Sequence, residues 1–87
     1  MTPEEQSERA TRAKELLEDP LIKESFDSLE STYLSAWRES RPGEELDREV
    51  LWQAWFALDA VRGHLNQVVQ NGKIARDALD KLKRRTK

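Results

Sequence analysis

Few of the 87 residues are of a type that could do chemistry, and their spacing decides what chemistry they support. His64, in Arg62-Gly63-His64-Leu65, is the only histidine, and cysteine is absent. A transition-metal site draws on several His or Cys ligands, so one here would need carboxylates to converge. Asp59 precedes His64 by five residues, the wrong interval for two side chains sharing a helix face. Asp59 and Arg62 interrupt the apolar run ALDAVRGHL, where they could pair with each other or reach Glu30 or Arg38. Such ion pairs set register and contribute little to stability. The carboxylates Glu4, Glu5, Glu8, Glu15, Glu18, Asp19 and Glu24 have the spacing of solvated helix faces, not of paired acid/base catalysts. Glycine-rich phosphate loops, GxSxG and EF-hand loops are all missing. The expectation is a chain with no enzymatic activity, no cofactor, no metal and no small-molecule substrate.

A second set of charges could meet an anion. Lys81, Lys83, Arg84, Arg85 and Lys87 make the C-terminus basic. Residues 73–87 carry 7 basic and 2 acidic side chains, whereas residues 1–72 carry 8 basic and 15 acidic ones, in a chain of net charge −2. Basic residues at a helix C-terminus also favour the macrodipole, the commoner reason for them. Sequence-specific DNA reading would need a recognition helix directed at base edges, and the acidic first 72 residues would repel a duplex. The tail is therefore a candidate for contact with an anionic partner, either nucleic acid or the acidic face of another protein or copy.

The remaining concentration of unusual residues is VLWQAWF at 50–56. Leu51, Trp55, Leu58, Val61, Leu65 and Val68 form a stripe at spacings of 4, 3, 3, 4 and 3, which places Trp55 in the core. Trp52 and Phe56 fall on a flank, with Val69 and Leu34 as further apolar candidates there. Either a terminal helix covers this flank or a second subunit does. Each Trp or Phe buried can contribute roughly 2–3 kcal/mol, against a domain stability of about 5–15 kcal/mol. The terminal helices are thin in large apolar residues, which favours cover by another subunit. Trp52, Phe56 and Val69 are thus the candidate protein interface.

The elements that must position these residues are helical. Thr2-Pro3-Glu4-Glu5 is a helix start, with threonine capping and proline in the first turn. The helix it opens, within 1–19, is highly charged, carries only Ala10, Ala13 and Leu17 as an apolar stripe, and could order against a partner. Asp19-Pro20 starts a second helix to about 40, with Ile22, Phe26, Leu29, Tyr33 and Trp37 on one face. Arg41-Pro42-Gly43 ends it and reverses the chain. A third helix runs over about 45–71, where Asn71-Gly72 supplies a left-handed cap, and a short basic helix follows within 73–87. The fold class is all-α: an antiparallel helical hairpin flanked by an N-terminal helix and a basic C-terminal one. It forms a single domain over 1–87, small enough that oligomerisation would help stabilise it. Mean hydropathy is −0.87. No stretch nears the roughly 20 apolar residues that span a bilayer, and MTPEEQSERA lacks the basic-then-apolar pattern of a secretion signal. The expected location is cytoplasmic, without a membrane partner.

The runs AKELLEDPLIKESFDSLESTYLSAW and LWQAWFALDAVRGHLNQVVQNGKIA resemble short helical proteins of tailed bacteriophages and prophages. The similar features are an xLLxxPLxxxxFDxLE opening, a Trp near the end of that helix, and a later LW…L…V..HL…V..GK pattern. They cover about residues 13–75 and are packing motifs, so no functional residue is carried across. The resemblance implies a phage setting, where small proteins serve virion assembly, DNA packaging or interference with the host. The first functional expectation is a non-enzymatic self-assembly or protein-interaction component, homo-oligomeric or docked on other subunits. The alternative is a small phage-encoded regulator or nucleic-acid-associated protein acting through its basic tail.

Overall fold

The computed structural model describes residues 1–85, so Lys87 lies outside the described residues. Those residues form three helices: α1 (Pro3–Glu18), α2 (Pro20–Glu39) and α3 (Glu45–Arg85). Each start follows from a cap. The Thr2 hydroxyl oxygen accepts from the Glu5 N–H at 3.1 Å and its hydroxyl donates to the Glu5 carboxylate. Asp19 Oδ1 accepts from the N–H groups of Leu21 and Ile22, so one residue both ends α1 and opens α2 with no loop between them. At the far end Ser40 caps α2, and Gly43 takes a φ of +99°, a left-handed value that favours glycine. The Glu44 N–H donates to the Arg41 carbonyl, which closes the turn into α3.

The all-α hairpin is present, with one change at its end. The basic segment is not a separate helix, because α3 continues unbroken through Asn71-Gly72 for 41 residues, about 60 Å at 1.5 Å per residue. Gly72 is no cap but a buried contact point. A Cβ there would fall on the Ala10 Cβ and lie 2.8 Å from the Gln6 carbonyl oxygen. Around it Ala13 and Ala75 are the buried apolar residues, 4% and 5% exposed. Small side chains let two backbones approach, and close approach is what buries them.

α1 and α2 lie end to end and antiparallel to α3. Arg76 donates to the Ser7 hydroxyl and Gly72 meets Ala10, while further along Arg62 meets Glu30 and Arg48 meets Ser40. The molecule is correspondingly elongated, 68 × 24 × 16 Å. α1 lies close against α3, and α2 stands farther off. The expected stripes of the hairpin are therefore only partly covered. Ile22, Phe26, Tyr33, Leu51, Leu58, Leu65 and Val68 are half-buried, but Leu29, Trp37, Trp55 and Val61 are exposed. The core placement of Trp55 is corrected on this point: it is 40% exposed, because side chains of its size hold α2 away from α3.

Replacing Gly72 with Ala is expected to destabilise the protein by about 1–3 kcal/mol, the usual cost of overpacking. The loss should appear as a lower urea midpoint with faster amide exchange in α1, and an unchanged midpoint would show that α1 does not dock there.

Candidate functional site

At the closed end of the hairpin, aromatic residues of α2 and α3 line a common groove. Counting outward from the turn sets Trp37 level with Arg48 and Trp52, and Tyr33 level with Trp55. Tyr33, Leu34, Trp37, Trp52 and Trp55 enclose a groove of about 180 Å³. Trp52 stacks on Phe56 at 5.4 Å between ring centroids, as residues four apart on one helix can. Leu34, Trp37, Trp52, Trp55 and Phe56 are 48%, 42%, 50%, 40% and 56% exposed. Neither terminal segment covers them, since α1 lies along the other half of α3.

Polar residues order the rim. The Arg48 guanidinium lies 5.5 Å from the Trp37 ring centroid and donates to Ser40 Oγ at 2.6 Å and to the Ser40 carbonyl. It ties the end of α2 to the start of α3 and fixes one wall of the groove. Glu45 and Glu49 stand beside Trp37 and Trp52 on the open side. About two helical turns beyond Trp55, Arg62 bridges to Glu30 at 3.3 Å and lies 5.1 Å from the Phe26 ring centroid. The sequence allowed Arg62 either Asp59 or Glu30, and the hairpin selects Glu30.

The other candidates fall elsewhere. Val69 does not join Trp52 and Phe56: it lines a shallow cleft with Ser7, Ala10, Thr11 and Lys14 of α1. Thirteen residues separate it from Phe56, which puts it about 20 Å along the helix and on another side. Lys81, Lys83, Arg84 and Arg85 are exposed on the last turns of α3. At about 100° per residue they radiate around the helix and do not line one face. His64 is exposed, and among the described residues no group of His, Asp or Glu is placed to hold a metal ion. The sequence places Tyr33 and Trp37 together on one face of α2. The register of the hairpin turn was the available signal that they meet Trp52 and Trp55 at the surface.

The chain has no significant match among known family models, characterised proteins or solved structures. No helix of the described residues is long and apolar enough to cross a membrane.

The two halves of the Arg62 cluster should separate on mutation. Glu30→Gln is expected to change stability by less than about 1 kcal/mol, because the pair is solvent-screened. Arg62→Ala should cost more, because the stem and guanidinium also cover Phe26. Urea unfolding of both variants checks this, and equal losses would mean that the Phe26 contact contributes nothing.

Proposed function

We propose that this chain is a non-enzymatic helical protein that associates through its aromatic groove with other protein subunits, in the first place copies of itself. The setting is the one implied by its resemblance to short phage and prophage proteins, virion structure or assembly, in the host cytoplasm or the particle. The observation that carries this reading is the exposure of Leu34, Trp37, Trp52 and Trp55 around one groove, with exposed Phe56 stacked on Trp52.

Magnitudes support association as the reason for the patch. Aromatic side chains present about 150–250 Å² each, so three tryptophans and a phenylalanine near half exposure leave on the order of 400 Å² in water. At about 25 cal/mol per Å² this is roughly 10 kcal/mol of unrealised burial per copy. Burial of this size is of the same order as the estimated 4–15 kcal/mol that association costs. A patch of this size is within the range of functional surfaces on single domains.

A second reading rests on the end of α3. Arg76 is level with Ser7, so the final turns project past the start of α1. This overhang could serve a small regulator or nucleic-acid-associated protein. Binding to duplex DNA would then fall steeply with salt and vanish on deletion of residues 81–87. The radial arrangement of the cations makes it the weaker reading.

Size-exclusion chromatography with light scattering, at several loading concentrations, tests the first reading. The native chain is expected as a discrete oligomer, and Trp52→Ala with Phe56→Ala as a monomer of unchanged helicity. A native monomer at every concentration would sink self-association, and helix loss in the double variant would mark those residues as core.

A further inference from the structure

We propose that two copies pair antiparallel along the outer side of α3, about a two-fold axis that passes at Gly63. This rests on the self-association reading and specifies its geometry. The first observation is a contrast between two glycines of one helix. Gly72 is required by α1, because a Cβ there would strike Ala10. Gly63 is exposed mid-helix, with nothing within 4 Å of the position a Cβ would take. Glycine weakens a helix interior relative to alanine, and nothing within the chain returns that loss. A backbone approaching from outside would.

The second observation is where Gly63 lies. Positions 45, 49, 52, 56, 59, 63, 67, 70, 74, 77 and 81 fall within an arc of about 80° on α3, on the side away from α1. All are exposed. A two-fold axis at 63 sets each position opposite another member, with Asp59 against Gln67 nearest the axis. Trp52 meets Ile74, which is 67% exposed and aliphatic. Ile74 can thereby cap the groove beside Trp52. Phe56 meets the stem of Gln70.

Charge complementarity selects the antiparallel direction. The axis sets Glu45 of each copy against Lys81 of the other, so the acidic start of α3 meets its basic end twice. Glu49 and Asp77 meet as like charges, which the two Glu45–Lys81 pairs must outweigh. A parallel pair would set Lys81 against Lys81 and Glu45 against Glu45. The area agrees as well. Trp52 and Phe56, the two aromatic residues on this arc, leave on the order of 200 Å² in water, and the other exposed stripe positions supply the rest of the roughly 800 Å² per partner in a standard interface.

The chain has no cysteine, so introduced thiols report alone. Glu45→Cys combined with Lys81→Cys, oxidised where the native chain is dimeric, is expected to run as a covalent dimer on a non-reducing gel. Positions 45 and 81 of one copy are about 54 Å apart on one helix, far beyond disulfide reach. Neither single variant should cross-link. Gly63→Ala should leave the dilute monomer at least as stable to heat while weakening dimerisation tenfold or more. Cross-linking by a single variant would make the copies parallel, and an oligomer that the double variant cannot link would place the interface on another face. Either result overturns the proposal. So would Gly63→Ala that leaves dimerisation unchanged. A native chain that never dimerises would instead remove the self-association reading beneath it.

Discussion

The contact of α1 with α3 at Gly72 is the constraint on which the rest of this structure depends. α1 carries no aromatic residue, and its inward residues are Ala10, Ala13 and Leu17. Such a helix cannot be held by the burial of bulk. It can be held by proximity, because dispersion contacts fall away steeply with distance and small side chains let many atoms meet. Gly72 and Ala75 supply the matching surface, with Ala10 directly over the glycine. That docking needs α3 to run on past Gly72, since a helix ending there would leave the first half of α1 without a neighbour.

Past Asp19 the same side of α3 meets a helix of opposite character. α2 presents Phe26, Tyr33 and Trp37, and α3 presents Leu58, Trp55 and Trp52. Large side chains on both surfaces hold the axes apart. The break at Asp19-Pro20 allows the two spacings to coexist along one continuous partner helix. With two helices at any level, each covers one side of the other and leaves the rest in water. The aromatic groove follows from this arithmetic of cover: its residues splay the two helices apart, and among the described residues no third helix reaches them.

The surface that results is ordered by two arginines. Its polar residues, Arg48 with Ser40 and Arg62 with Glu30, hold the hairpin together, and each arginine also lies over an aromatic ring. The groove is therefore an apolar surface with a charged rim. In the proposed pairing Gly63 and Ile74 lie on the same outer side of α3 as Trp52 and Phe56, and the opposed charges at the two ends of the helix would give it a direction.

Local physics made much of this legible in the residues themselves. Thr2, Asp19 and the prolines that follow them mark two helix starts through hydrogen bonds made within three residues, and Pro42-Gly43 marks the reversal. The all-α class and the hairpin follow from apolar spacing on 20–39 and 51–68. The role of Gly72 could not be read in the same way, because a glycine after asparagine suits a helix end as well as a close crossing. Only the position of α1 decides between them. Nor could Trp55 and Trp37 be placed. Periodicity assigns a side chain to a face, but how deeply that face is buried depends on the interaxial distance and on whether a third element arrives. Val69 was misplaced for a related reason: its apolar character was visible, and the helix that it faces was not. Short-range capping and periodicity were determined by the sequence alone, while tertiary packing decided which apolar residues are covered, because burial depends on helices far apart in the chain.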